Sequence, residues 1–204
     1  MTGNDPKQVI IECISQPLAP LEPSPPHPAG VQLGEEDWVP GMIRRDGGLG
    51  AKASTVQFLQ ARSLPTRQLH VVAFENEEGQ QEQWFRCVRQ DLPGSWRNAG
   101  GANIGKVEEM PKRDAPWVNL AGGWSRDLFW AGGRVLDNGL DVVRVRLISE
   151  NGIMLEDLVQ DGLVLFVSDR WVQRPLQVEL YDRSGILVGT HQALKPHPLE
   201  HIGP

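Results

Sequence analysis

Two cysteines, Cys13 and Cys87, and a single tyrosine are all that 204 residues contain of these types. Cys13 lies in a segment that reads as a tail, so no structural disulfide is expected. No apolar run approaches the roughly 18–20 residues of a membrane span, and the N-terminus lacks the apolar core of a secretion signal. A cytoplasmic protein without membrane contact is the expectation. The chain also lacks a G-x-S-x-G elbow, a phosphate loop, a dinucleotide fingerprint and an H-E-x-x-H pair. A missing motif does not exclude an enzyme, but nothing here supports one, and no cofactor or metal is expected. A cationic surface is missing too. The net charge is −6, with one Lys and six acids in residues 1–40, and 19 basic against 20 acidic residues after that. No basic patch suits a phosphate backbone, so nucleic acid is not an expected partner.

Proline is abundant and unevenly placed. Half of the sixteen prolines lie in residues 1–40, and Gln16 to Gly30 reads Q-P-L-A-P-L-E-P-S-P-P-H-P-A-G. Such a stretch favours extended polyproline geometry, so residues 15–30 are expected to lack regular structure, as a linker or an arm over the domain, or as the ligand of a proline-recognising groove. Val9–Ile14 is apolar enough to add an edge strand. The division is a Pro-rich acidic arm over 1–32, a single domain over 33–194 and a Pro/His-rich tail over 195–204.

The densest strand signal runs from Asp141 to His191. Five apolar runs are separated by Asn151-Gly152, Asp161-Gly162, a loop over 169–175 and Asp182-Arg183-Ser184-Gly185. Asn-Gly and Asp-Gly supply the positive φ of tight hairpins. With a two-residue turn at Asn151-Gly152, Arg146 faces Asp157 and Val145 faces Leu158. A second such turn at Asp161-Gly162 places Leu158 beside Leu165, giving an apolar row across three strands. Leu176, Val178 and Leu180 alternate with polar neighbours and predict a strand with one buried face, paired with Ile186–His191. Upstream, Ser54–Ser63 is the one helix expected, capped by Ser54 and stopped by Pro65. Leu69–Glu75 and Gln83–Arg89 form a hairpin about Asn76–Gly79, with Arg86 and Arg89 in reach of Glu75 or Glu82 at the surface.

Residues 133–191 resemble small bacterial β-sandwich modules of the immunoglobulin-like or carboxypeptidase-regulatory-like type. The carriers are the V-E-L-Y-D-x-x-G-x-L-V hairpin and the D-G-L-V-L-F strand before it. The resemblance implies a non-catalytic module with no fixed active residues.

Residues 91–133 are rich in Gly and Trp and poor in strand signal. Three Ala-Gly-Gly triplets begin at Ala99, Ala121 and Ala131, and the first two follow a Trp-x-Asn. The aromatics Trp96, Trp117, Trp124 and Trp130 either line a binding face for a protein or carbohydrate, or cap an open end of a sandwich. Two histidine arrangements complete the candidates. His70 and Cys87 fall on neighbouring strands, which permits a Cys–His pair, although Cys87 in an apolar run reads as a buried small hydrophobe. His197 and His201 have metal-ligand spacing, but lie among prolines with no companion ligands. Glu156-Asp157 and Glu108-Glu109 are adjacent pairs whose members point to opposite faces of a strand.

The sequence therefore predicts a mainly β protein. It is an antiparallel sandwich or partly open barrel with one short helix and long Gly/Trp-rich loops. The expected function is a non-catalytic binding or assembly module that uses those loops. The alternative is an enzyme or small-ligand protein with a pocket between the loops and the sheet.

Overall fold

The computed structural model describes residues 4–18, 21–23, 42–44, 48–104, 110, 113–125 and 128–194. The chain is mainly β. Three antiparallel sheets stack face to face and none closes into a barrel. The first sheet holds β3 (Gln57–Leu64), β4 (Arg67–Glu75), β5 (Gln81–Leu92) and β6 (Ser95–Asn103), in that order. The middle sheet runs β11 (Leu163–Ser168), β8 (Leu128–Leu136), β7 (Trp117–Ser125). The third runs β10 (Met154–Leu158), β9 (Val142–Ser149), β12 (Leu176–Asp182), β13 (Leu187–Ala193). A small separate pair joins β1 (Leu21–Pro23) to β2 (Met42–Arg44).

Alternation along the middle sheet fixes the layering. Leu128, Trp130, Leu163 and Leu165 pack with Leu69, Val71, Phe85 and Cys87 of the first sheet. Phe129, Ala131, Val164 and Phe166 point the other way, onto Val145, Leu147, Leu176, Val178 and Leu180 of the third. A two-residue side-chain period thus gives the middle sheet two buried faces.

The outer face of the first sheet is covered by the helix α1 (Pro6–Ile14). Asp5 caps it, accepting from the Lys7 amide at 3.0 Å, and Pro6 occupies the first turn, where a missing N–H costs nothing. Ile10 and Ile14, one turn apart, are fully buried against Val72, Phe74 and Val88. Asn4 pins the start by exchanging hydrogen bonds with the Trp96 backbone at 2.7 and 2.8 Å. No helix among the described residues is long and apolar enough to cross a membrane.

Several expectations are corrected. Val9–Ile14 belongs to a helix rather than an edge strand, because the Asp5-Pro6 cap and the Ile10–Ile14 spacing outweigh the β-branched composition. Ser54–Ser63 is not a helix. Ala53–Thr55 makes one 3-10 turn, and Gln57–Leu64 is an edge strand whose alternate residues are half-buried. A helix of ten residues is marginal without a strong apolar stripe, whereas pairing with β4 satisfies the backbone. Within 15–30, Leu21–Pro23 does pair with Met42–Arg44. The remaining Pro-rich residues, His197 and His201 lie outside the described residues.

The region expected as long loops is largely strand. Glycine has low strand propensity, yet each triplet sits in a ladder, where a Cβ at Gly101, Gly122, Gly123, Gly132 or Gly133 would meet a neighbouring strand or layer. A Cβ on Gly132 would lie 2.4 Å from the Phe85 ring. A bare backbone at that point lets the two sheets meet.

The Asp141–His191 meander exists, but it divides between two sheets. The Asn151-Gly152 turn is a three-residue loop over 150–152, closed by hydrogen bonds between Ser149 and Ile153, with Gly152 at φ 78°. Its extra residue shifts the register by one, and a one-residue shift reverses every side chain. Arg146 therefore faces Glu156, and Asp157 turns inward beside Val145. The Asp161-Gly162 turn is the expected two-residue type, with both φ angles positive. It nonetheless delivers β11 to the middle sheet, so the Val145–Leu158–Leu165 row does not form and Leu158 is 58 % exposed. The β12–β13 hairpin and the buried row Leu176, Val178 and Leu180 form as expected.

Asp157, 8 % exposed, ties the three layers together. From β10 it accepts from Arg62 Nε on β3 at 2.7 Å and from the Leu165 amide on β11 at 2.8 Å. Asp157→Ala would leave a buried amide without an acceptor and a half-buried guanidinium without its anion. The expected loss is about 3 kcal/mol in urea unfolding. Removing Arg183, which pairs with Asp141 at the surface, should cost no more than about 1 kcal/mol. Equal effects would show that the junction carries no special weight.

Candidate functional site

The β5–β6 hairpin turns through Pro93-Gly94 and runs β6 along the free side of the first sheet, while β7 forms the matching side of the middle sheet. Between these two edges lies a cleft of about 450 Å³. Its lining comes from Arg89, Arg97 and Asn98 at the rim, and from Gly100, Gly101, Gly122, Gly123, Leu128 and Trp130 deeper in. The glycines have a local cause. The Trp130 indole lies across the cleft base, so that a Cβ on Gly123 would fall 2.7 Å from its Nε1, while a Cβ on Gly100 would make ordinary contact at 3.7 Å. Trp130 is 3 % exposed. Among the described residues its indole N–H has no hydrogen-bond acceptor, unlike that of Trp84, which donates to Glu82.

The structure does not gather the four candidate tryptophans on one surface. Trp130 is in the cleft. Trp96 belongs to the opposite face of the first sheet, half-buried against the α1 cluster. Trp117 is buried at the far end of the β7–β8 pair, with the Arg113 guanidinium 4.5 Å above its ring. Trp124 pairs with Phe129 through the backbone, and its side chain lies outside the described residues.

The catalytic candidates separate as well. His70 and Cys87 are on neighbouring strands, but Leu69 is the residue opposite Cys87 and Arg86 the one opposite His70. The two side chains therefore point to opposite faces. Cys87 is enclosed between the first and middle sheets, and burial pushes its thiol up to about 12. His70 lies under α1, edge-on to Phe58, with Nε2 2.9 Å from Gln68 Oε1. Arg86 does not reach Glu75 or Glu82. It is buried on the α1 side, donating to Asn98 Oδ1 at 2.9 Å and Cys13 Sγ at 3.1 Å. Glu156 and Asp157 do point to opposite faces, while Glu108-Glu109 lies outside the described residues. Among the described residues no three His, Cys, Asp or Glu side chains converge as a metal group.

Sequence reasoning missed Arg97 and Asn98 as lining residues. Counting back from the Pro93-Gly94 turn would place Asn98 opposite Arg89. A bulge between Gln90 and Leu92 shifts the register by one and brings Arg97 there instead, and no local signal marked it. No protein-family model, curated protein or solved structure matches the chain. The likeness of residues 133–191 to immunoglobulin-like modules thus rests on its hairpin pattern alone.

Burial lowers the His70 pKa to about 4, with Lys7 adding to the effect and Asp5 opposing it. As pH falls below 6.5 the unfolded chain takes up this proton first, so the contribution is full above 6.5 and lost toward pH 4. Burial also lowers His191, against its hydrogen bond to the Val118 carbonyl. Urea midpoints measured from pH 7 to 4 should fall less steeply for His70→Phe than for the parent chain. Parallel profiles would show that His70 does not report the docking of α1.

Proposed function

We propose that the chain is a non-catalytic binding module that seats an extended segment of a partner protein in the cleft between β6 and β7. The supporting observation is that two sheet edges, neither with a further strand neighbour among the described residues, flank one glycine-floored cleft. An extended chain gains main-chain hydrogen bonds at such an edge, and its side chains are read in alternate pockets. Bare glycine backbone allows that close approach. The volume falls in the range of ligand sites, about 300–1,000 Å³, and Leu128 with the Trp130 ring gives the floor an apolar component. His70 and Cys87 do not line it, which favours recognition over the pocket-enzyme alternative. The rim arginines favour a protein segment over a carbohydrate, because neutral sugars offer guanidinium groups no charged acceptor.

The test is to titrate pools of N-acetylated pentapeptides, randomised at the three middle positions, into isotope-labelled protein at millimolar total peptide. The amides of Gly100, Gly101, Gly122 and Gly123 should shift, with the Leu187–Ala193 edge unmoved. Silence at these four glycines with every pool, or shifts confined to another edge, would remove this reading.

A further inference from the structure

We infer that the cleft selects the free carboxy-terminus of its extended partner, with Arg97 as the principal carboxylate-binding residue; this rests on the peptide-binding reading above. Arg67, Arg89 and Arg97 occupy one rung across β4, β5 and β6, each directly opposite the next. Direct cross-strand neighbours share a face. Arg67 is two residues from Leu69, and Arg89 two from Cys87, so this is the face turned toward the middle sheet. Of this rung, Arg89 and Arg97 line the cleft.

A carboxylate set against two guanidinium groups gains charge-assisted hydrogen bonds from both. Asp91 already shows that geometry. One of its oxygens lies 3.3 Å from Arg89 Nε and the other 2.6 Å from Arg97 Nε. A carboxylate is therefore a shape this rung accepts. Arg97 engages Asp91 through Nε, and its side chain is 54 % exposed. Among the described residues its two terminal nitrogens have no acceptor. A guanidinium presents five donors in a planar fork, and a second carboxylate fits it bidentately.

An independent feature lies deeper in the cleft. The Trp130 indole N–H sits above Gly123 in a side chain that is almost wholly buried, and it lacks an acceptor among the described residues. The nitrogen itself is not sealed off with the rest of the ring, so the N–H is open to an acceptor that enters the cleft. A backbone carbonyl of a seated strand would supply it, while the end of the strand meets Arg97. Nucleic acid fits less well. Asp91 stands in the rung itself, and the chain carries a net charge of −6.

The pentapeptide pools separate this inference from the reading beneath it when they are made both as free acids and as C-terminal amides. Free acids should move the four glycine amides at concentrations at least tenfold below those the amides need. Arg97→Gln should reduce that preference to less than threefold and leave the urea midpoint unchanged, because the Arg97–Asp91 pair is at the surface. Arg97→Lys, which keeps the charge and loses the fork, should fall between the two. If acids and amides titrate alike, the carboxylate inference fails and the peptide-binding reading stands. An acid preference that persists in Arg97→Gln would also overturn the role given to Arg97. If neither form moves the glycines, both readings fail together.

Discussion

Three layers of sheet have to be held in one relative position, and the carboxylate of Asp157 is where they are joined. It belongs to β10 in the third sheet, receives a guanidinium from β3 in the first, and receives a backbone amide from β11 in the middle one. Apolar contacts between sheets are non-directional, and shape alone resists one sheet sliding over another. A nearly buried carboxylate with two placed donors penalises such sliding. On the opposite side, where β6, β7 and β13 lie, the contacts among sheet edges include a long hydrogen bond from the His191 ring to the Val118 carbonyl, at 3.2 Å. One side is closed by charge. The other contains the cleft.

The second constraint is the thickness of the layers. Stacked sheets usually stand about 10 Å apart, and large aromatic rings in the gap need relief somewhere. Phe85 finds it at Gly132, and Trp130 finds it at Gly123 and Gly100. Gly132 and Gly123 are therefore the complement of two rings, and the cleft lies against the second.

Much of the third sheet was legible in the sequence, because Leu176, Val178 and Leu180 alternate cleanly and Gly185 marks the turn. The Asn76–Gly79 hairpin was legible for the same reason. The middle sheet was not. Its strands carry Gly122, Gly123, Gly132 and Gly133, and the reason for those residues is on other strands, which no local window contains. The Asn151-Gly152 turn shows a subtler limit. A dipeptide announces a turn, but one residue of loop length decides whether Asp157 faces solvent or the core. The helix at Pro6–Ile14 carried its signal in Asp5-Pro6, overshadowed by the prolines that follow. Of the candidate site, Trp130 was legible, whereas Arg97 was not, because a bulge between Gln90 and Leu92 shifts the count from Pro93-Gly94 by one residue. Nothing local revealed that the edges of two different sheets would meet around them.

The exchange of β11 from its hairpin partner into the middle sheet has a consequence for synthesis on the ribosome. The strand β8 is flanked by β7, which precedes it, and by β11, which emerges only after β9 and β10. Until residue 168 has left the exit tunnel, the middle sheet has two strands, and part of the apolar inner face formed by Leu69, Val71, Phe85 and Cys87 has nothing to rest on. The first sheet, complete by residue 103, must wait half-covered while roughly a third of the chain is still being made. Exposed apolar surface of that kind is what draws nascent chains into association, so the order of strands makes the last part of translation the vulnerable interval for this fold.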